Sequence, residues 1–185
     1  DGLFPVRGYA GVSGRVDVLA RCFSVTSLVD PEACIVGFLL GSKAPKALVG
    51  LPGCCGGFRE RDLIVEFSRV LRGDSSRFLG ALEVDFKVFL DLLVDKGFKV
   101  LLLSEKGYNV MEEPQLVCGR VALFLGSHVD MPGWVEDQVR RFASSTLSIG
   151  PYSLHSEHVI AFLGWLRMRY CQTSSRASAA APPSP

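Results

Sequence analysis

Two short apolar runs in the C-terminal half of the chain each stop at a glycine. The first covers residues 121–125 and ends at Gly126, and the second covers residues 146–149 and ends at Gly150. Short buried strands that run into glycine loops are typical of open α/β sheets, in which ligands lie outside the carboxyl ends of the strands. The two runs therefore predict strands whose glycine loops form the floor of a ligand pocket.

The rest of the chain alternates between apolar runs of strand length and amphipathic segments with helical spacing. We predict strands at residues 34–40, 46–50, 82–84, 99–103 and 120–125, with a further short strand ending at Ile149. We predict helices at residues 15–28, 60–72, 134–143 and 156–170, and another between Asp85, its N-cap, and Gly97. A turn is expected at residues 104–107. This alternation predicts an α/β fold with one mostly parallel sheet and helices on both of its faces.

The composition is that of a single folded domain. The chain has 185 residues, of which 48% are hydrophobic, enough to bury a full core, and we expect one domain over residues 1–170. Residues 171–185 are rich in Ser, Ala and Pro and are predicted to be disordered. The apolar runs are too short to span a bilayer. The net charge of +1 argues against a non-specific nucleic-acid coat and leaves room for a local basic patch.

Cysteine usage suggests a reduced, cytoplasmic protein without a zinc site. None of the six cysteines forms a C-x-x-C pair. Cys22, Cys34 and Cys118 lie in apolar contexts, where we expect core positions. Disulfides are rare in most cytoplasmic proteins, so we expect these thiols to be free.

Conventional side-chain chemistry finds little support. The chain has neither a G-x-S-x-G elbow nor a P-loop. His155 and His158 are three residues apart on one helical turn and could hold a metal ion, with His128 or Glu157 as the third ligand. No carboxylate-rich signature supports that site, and one core histidine with one surface histidine is the commoner arrangement. We therefore expect no metal.

A site made of backbone is the other possibility. The loops at Gly126 and Gly150 supply carbonyls, amides and small apolar walls, which suit a neutral, partly aromatic ligand such as an adenosine. Two ordinary strand-to-loop transitions would have the same sequence. Arginines could add phosphate contacts if several converged on these loops, although such groups are usually solvated surface. They are Arg15 with Arg21, Arg59 with Arg61, Arg69 with Arg72 and Arg77, and Arg140 with Arg141.

Three stretches of the sequence, taken together, resemble the TrmY family. They are Gly14-Arg-Val-Asp17-Val-Leu-Ala-Arg21-Cys22, Leu125-Gly126-x-His128 and Leu147-Ser-Ile-Gly150-Pro151-x-Ser-Leu-His155. The family comprises archaeal tRNA pseudouridine N1-methyltransferases of the SPOUT superfamily. The similarity runs in order and with compatible spacing from about Gly8 to Tyr170.

The resemblance implies an α/β fold with a deep trefoil knot at its C-terminal side, a rare exception among protein folds. It also implies a homodimer with the active site across the interface, and tRNA as the partner, with neither membrane nor metal. S-adenosylmethionine would be bound in a bent conformation, largely by backbone groups. The implied cofactor-binding residues are Leu103, Gly126, Ile149, Gly150, Pro151, Tyr152, Ser153, Leu154 and Val159.

The implied reaction is methylation of N1 of the T-loop pseudouridine at position 54 of tRNA. The N1–H group is a weak acid, so alignment of the methyl donor and removal of that proton are the main requirements. Asp17 is the candidate base, and Arg15 and Arg21 would hold RNA phosphate or the uracil oxygens. The target base would be read unstacked and flipped.

Two alternatives remain at this point. The protein could be another SPOUT methyltransferase that acts on pseudouridine in ribosomal RNA or on another base. It could also be a catalytically impaired RNA-binding homodimer, because Ser127 replaces the usual Asp of the family, Val159 replaces a frequent Cys, and the N-terminal region is short.

Overall fold

The computed structural model describes residues 15–40, 46–126 and 131–171. Its helices lie close to the predicted positions: α1 Val16–Val29, α2 Glu60–Leu71, α3 Phe86–Asp95, α4 Gly133–Phe142 and α5 Ser156–Tyr170. Its strands are β1 Ile35–Leu39, β2 Lys46–Gly50, β3 Leu79–Glu83, β4 Lys99–Asn109, β5 Val121–Phe124 and β6 Ala143–Ser148, with a short 3₁₀ helix at Pro114–Val117. None of these helices is long and apolar enough to cross a membrane. Ser127, His128 and residues 172–185 of the predicted tail lie outside the described residues.

Local signals in the sequence fix the ends of α3. The Asp85 carboxylate accepts hydrogen bonds from the backbone N–H groups of Lys87 and Val88 at 2.9 and 3.1 Å. Such a cap typically contributes about 1 kcal/mol, because it satisfies donors that the helix leaves unpaired. The helix stops just before Gly97, whose φ of 75° suits a residue without a side chain. The predicted cap and stop are both confirmed.

The described strands form two three-stranded sheets, and only one of them is parallel. In the second sheet, β4 lies between β5 and β6 and pairs in parallel with both. In the first sheet, β1, β2 and β3 pair in that order and are antiparallel. The prediction of one mostly parallel sheet is therefore wrong for the N-terminal half. The short connection between β1 and β2 cannot contain the crossover that a parallel pair requires.

Strand β4 is longer than predicted and contains an irregularity. The expected turn at residues 104–107 lies within β4, where it forms a bulge in the pairing with β6. Leu147 of β6 pairs with both Leu103 and Tyr108, on either side of that bulge. At Gly107 the backbone lies so close to the backbone of Leu147 that a Cβ atom would overlap it. A glycine is therefore required where β4 folds over β6.

Helices cover both faces of the parallel sheet, as predicted. On one face, Val100 and Leu102 of β4 pack against buried residues of α3 and α4. On the other face, Leu101 and Leu147 pack against buried residues of α5. The antiparallel sheet has its own core, in which Phe23 of α1 and Phe67 of α2 meet edge to face with ring centroids 4.9 Å apart.

Helix α1 packs against α5 as well as against the antiparallel sheet. Gly164 of α5 lies against Val29 of α1, where a Cβ atom would overlap the valine side chain. This close approach makes α1 buried on two sides, so Asp17 and Cys22 are buried as well as the predicted face that includes Phe23. The two halves of the molecule are joined through this helix pair.

The cysteine prediction is wrong in two respects. The structure contains disulfides between Cys118 and Cys171 and between the neighbours Cys54 and Cys55, so these residues are not free thiols. Cys22 and Cys34 are free, but Cys34 is exposed and not in the core. Cys118 and Cys171 are 53 residues apart in sequence, and the packing of α5 against the 3₁₀ helix brings them together.

The close approach at Gly107 can be tested by adding one methyl group. In Gly107→Ala the methyl would meet the backbone of Leu147, which cannot move without disturbing the β4–β6 pairing. We expect the free energy of unfolding to fall by about 1–3 kcal/mol, the usual cost of overpacking. Gly80→Ala is the matched control, because a Cβ atom on Gly80 meets no atom within 4 Å. Urea unfolding measures both variants, and equal stabilities would contradict the constraint at Gly107.

The Cys118–Cys171 disulfide should stabilise the C-terminal helix. The bond closes a loop of 53 residues, for which chain entropy gives a contribution of about 4 kcal/mol. We expect a Cys118→Ser, Cys171→Ser double variant to unfold at a lower temperature than the oxidised protein. Calorimetry with and without reductant supplies the control: a reductant that destabilises the double variant as much as the wild type would refute this assignment.

Candidate functional site

A cleft of about 450 Å³ opens where the carboxyl ends of β5 and β6 meet the N-terminus of α5. Both predicted glycine loops line it, which confirms that the two segments meet. The volume is within the range of small-molecule sites. Pro151, in the same exposed loop, is the one predicted cofactor residue outside the lining. The predicted residues within the lining are Leu103, Gly126, Ile149, Gly150, Tyr152, Ser153, Leu154 and Val159.

Two serines hold the glycine loops in place. The Ser156 hydroxyl, in the first turn of α5, donates a hydrogen bond of 2.7 Å to the carbonyl of Gly126. The Ser148 hydroxyl donates to the carbonyl of Gly150 at 2.8 Å and accepts from its N–H at 3.1 Å. Both serines are buried, and their hydrogen bonds to the two glycines are partly buried beside the cleft. The ends of β5, β6 and α5 are thereby fixed around one cavity.

The cleft has the features that an adenosine-containing ligand needs. Leu103, Ile149 and Val159 supply apolar walls, and the loop after β6 supplies peptide groups. A Cβ atom on Gly150 would meet no protein atom within 4 Å, so the backbone there is open to a ligand. The N-terminus of α5 adds backbone N–H groups and a partial positive charge. The lining therefore fits S-adenosylmethionine, whose purine ring needs apolar contacts and whose carboxylate needs donors.

Charged residues occupy the rest of the lining. Glu136 and Arg140 on α4 form an ion pair of 2.5 Å, and Glu105 and Lys106 come from the bulge in β4. Arg140 belongs to one of the arginine groups found in the sequence, and it is the member of those groups that lines the described cleft. It lies where it could contact a carboxylate or a phosphate of a bound ligand.

The three predicted catalytic residues lie together, but none is in the lining of the cleft. Arg15 donates to both carboxylate oxygens of Asp17 at 3.0–3.2 Å, and Arg21 donates to Asp17 at 3.3 Å. Arg21 also donates to Glu60 of α2 at 3.0 Å and to Glu157 of α5 at 2.9 Å. We call these five residues the Arg21 network.

The Arg21 network determines the proton affinity of Asp17. Burial raises the pKa of the Asp17 carboxyl, but hydrogen bonds and charges from Arg15 and Arg21 outweigh burial and hold the pKa below its usual 3.8. Asp17 is 5% exposed and remains ionised at neutral pH. A carboxylate with a lowered pKa accepts hydrogen bonds well but is a weak base.

The sequence did not indicate that Glu157 contacts Arg21. Glu157 lies in the first turn of α5, and its Oε2 atom is buried without a hydrogen-bond partner among the described residues. Burial raises the pKa of the Glu157 carboxyl, but hydrogen bonds from its own backbone and from Arg21 lower it below the usual value of 4.5. Its link to Arg21 spans 136 residues, so no local pattern could indicate it.

The histidines do not form a metal site in the described part of the chain. His155 and His158 are exposed and lie edge to face, with ring centroids 5.7 Å apart. No group of three potential metal ligands occurs among the described residues. His128, the third possible ligand, lies outside them. His155 instead lines the cleft as the N-cap residue of α5.

The known proteins to which this chain is similar are described as RNA methyltransferases. A family model described as "Putative SAM-dependent RNA methyltransferase" matches residues 1–168. The chain is 35% identical over 180 residues to a tRNA (pseudouridine(54)-N(1))-methyltransferase of Aeropyrum pernix, covering 94% of this chain and 91% of that protein. A protein of the same name from Methanococcoides burtonii is 23% identical over 189 residues, covering 88% and 87%.

A solved structure shows the same fold. The crystal structure of Archaeoglobus fulgidus Nep1 bound to S-adenosylhomocysteine superposes with a TM-score of 0.56 at 18% identity, covering 84% of this chain and 71% of that one. The match over residues 1–168 and the 35% identical relative establish the family predicted from the glycine loops and the Asp17 helix. The chain belongs to the SAM-dependent RNA methyltransferase family that contains the tRNA (pseudouridine(54)-N(1))-methyltransferases.

Proposed function

We propose that this protein transfers the methyl group of S-adenosylmethionine to N1 of pseudouridine at position 54 in the T-loop of tRNA. The observation that carries the proposal is the cleft formed by the two glycine loops and the N-terminus of α5. Membership of the family makes the protein a SAM-dependent RNA methyltransferase. The tRNA target follows from the names of two relatives that each align with most of this chain, and those names favour tRNA over ribosomal RNA.

The cofactor is held mainly by main-chain groups in this proposal. The loop from Ile149 to Leu154 would surround the adenosine and methionine parts, with Gly126 opposite and Val159 closing one wall. Pro151 would shape the loop without facing the cleft. Because peptide groups and apolar walls bind the cofactor, the departures from the family pattern at Ser127 and Val159 leave cofactor binding intact.

S-adenosylmethionine supplies an electrophilic methyl group when bound. The reaction forms an N1–CH₃ bond and breaks the methyl–sulfur bond, and the N1 proton leaves to an acceptor. The task of the protein is to hold N1 in line with the methyl and to exclude water from the cleft. No metal is needed for this displacement.

Asp17 is our proposed acceptor for the N1–H group, with Arg15 and Arg21 as the residues that position it. Arg15 covers the carboxylate, so the uracil ring reaches Asp17 only after the Arg15 guanidinium turns away. That movement would also remove the Arg15 hydrogen bonds and charge that lower the pKa of Asp17, which makes the carboxylate a better proton acceptor. Arg15 would then be available for an RNA phosphate or a uracil oxygen. Arg21 keeps its three acidic partners and holds Asp17 in place.

A homodimer would bring this network to a second cleft. Trp165 and Met168 of α5 and Leu28 of α1 are each about half or more exposed, on two helices that pack together. Exposed apolar residues on two helices that pack together suit an interface with another copy. In the proposed dimer, the Arg21 network of one protomer serves a cleft shared with its partner.

The finer features of the fold are also proposals. We infer that residues 1–170 form one SPOUT domain and that the C-terminal segment is threaded as a trefoil knot. Support comes from Leu147, which pairs on both sides of the β4 bulge, and from Ser156, which bonds to the loop after β5. The proposed cytoplasmic location follows from the proposed tRNA substrate.

The cofactor proposal can be tested by filling the cleft. Val159→Phe would place a ring where the ligand should lie. We expect at least about tenfold weaker binding of S-adenosylmethionine, because the ligand would lose a few of its apolar contacts. Val65→Phe is the control, because Val65 lies on the exposed face of α2. Isothermal calorimetry gives both affinities. Wild-type protein that binds no S-adenosylmethionine at millimolar concentration would contradict the proposed function.

The role of Asp17 can be separated from that of its network. Asp17→Asn should leave S-adenosylmethionine affinity unchanged and slow methyl transfer to tRNA about 100-fold, because the amide is a poorer acceptor. Glu60→Gln also removes one acidic partner of Arg21 and should change the rate little. Single-turnover transfer of labelled methyl groups measures both rates. Equal rates for Asp17→Asn and the wild type would remove Asp17 from the mechanism.

A further inference from the structure

Two exposed phenylalanines lie together outside the cleft. Phe58 is 38% exposed and Phe78 is 43% exposed, and their ring centroids are 6.5 Å apart at an interplanar angle of 69°. The Arg77 guanidinium lies over the Phe78 ring, 5.8 Å from its centroid. Arg59 follows Phe58 directly and is also exposed. We call Phe58, Arg59, Arg77 and Phe78 the aromatic–arginine patch.

The patch is held by buried anchors. Phe58 ends a loop in which Cys54 and Cys55 are buried, and the Cys55 N–H donates to the buried Ser27 hydroxyl at 3.1 Å. The Phe58 N–H donates to the carbonyl of Cys55 at 3.2 Å. The carbonyl of Phe78 accepts from Leu51 in the same loop at 3.0 Å. Both rings are therefore presented to solvent on a fixed backbone.

The cations of the patch are not neutralised within the described part of the chain. Arg69 pairs with Glu66 and Asp74, but neither Arg59 nor Arg77 has a described acidic side chain within salt-bridge distance. An apolar surface that also carries uncompensated positive charge favours an anionic partner with flat apolar groups. Unpaired nucleotides have both properties, because their bases stack on aromatic rings and their phosphates contact guanidinium groups.

We propose that the aromatic–arginine patch binds unpaired nucleotides of the substrate RNA at a site distinct from the cleft. The proposal rests on the proposed function for the identity of the RNA. Bases would stack on Phe58 and Phe78, while Arg77 and Arg59 contact the phosphates on either side. Such a site reads single-stranded character and not base sequence, because every base has a stacking face.

The Arg21 network connects the patch to the cleft. Glu60 follows Arg59 and accepts a hydrogen bond from Arg21, and Arg21 donates in turn to Glu157 in the first turn of α5. That turn carries His155 and Val159, which line the cleft. The patch and the cleft thus flank one set of ion pairs. An RNA bound at the patch would place neighbouring nucleotides near the proposed catalytic residues.

The test compares two cation–π pairs in the same protein. Three variants are compared: a double variant that carries both Phe58→Ala and Phe78→Ala, and the single variants Phe78→Leu and Arg77→Gln. Arg120→Gln is the matched control. The Arg120 guanidinium lies over the Phe98 ring, 5.0 Å from its centroid, and its removal takes away the same single positive charge. The probes are a labelled oligouridylate of about 12 nucleotides and a blunt RNA duplex of the same length, at fixed salt.

We expect the double alanine variant to bind the oligouridylate at least about tenfold more weakly and to bind the duplex as the wild type does. Phe78→Leu should also weaken binding, because it keeps apolar volume but loses the ring face. Arg77→Gln should lower the salt slope of binding by about one, and Arg120→Gln should leave it unchanged. With tRNA as substrate, the KM should rise while kcat and S-adenosylmethionine affinity stay unchanged.

Three results would overturn the proposal. They are unchanged oligouridylate affinity in the double variant, equal losses for Arg77→Gln and Arg120→Gln, and a shift from dimer to monomer in sedimentation with RNA affinity unchanged. The last result would assign the patch to a protein interface. If the wild type binds the oligouridylate through the patch but methylates no tRNA, the patch stands and the proposed function fails.

Discussion

The parallel pairing of β4 with both β5 and β6 is the constraint on which the rest of the structure depends. Because β4 lies between them, the carboxyl ends of β5 and β6 point to the same edge, and Gly126 and Gly150 meet there. The close approach of Gly107 to Leu147 and the Ser156–Gly126 hydrogen bond then hold the edge in one arrangement. The cleft is a direct consequence of this strand order.

The Arg21 network links three helices beside the cleft. Arg21 of α1 reaches Glu60 of α2 and Glu157 of α5, and the burial of Asp17 and Glu157 is offset by these ion pairs. Removing one partner would leave a partly buried charge unpaired, which generally costs more than the pair contributes. The network therefore fixes α5, and through it the glycine loops, while it keeps Asp17 ionised next to the site.

The proposed methyl donor and the proposed RNA contacts use opposite chemistry. Backbone groups and apolar walls suit a compact ligand held in a cavity, whereas the aromatic–arginine patch suits an extended polyanion on a surface. A net charge of +1 gives no general attraction for RNA, so affinity must come from local groups such as Arg77. Separating the two functions in space lets RNA recognition change without disturbing the cleft.

The sequence by itself determined the helices, most strands, the α/β class and the family, because hydrophobic period, the Asp85 cap and the glycine loops are local signals. Eight of the nine predicted cofactor-binding residues line the cleft, among them Leu103 and Val159, whereas Pro151 does not. Only the tertiary structure decided that β1–β3 form an antiparallel sheet, that Cys118 joins Cys171, and that Asp17 is buried among arginines. The disulfide and the Arg21–Glu157 link depend on the packing of α5 against the 3₁₀ helix and α1, and they join residues 53 and 136 positions apart in sequence. Local sequence patterns do not indicate such contacts, because the free energy that stabilises them comes from burial in the assembled core.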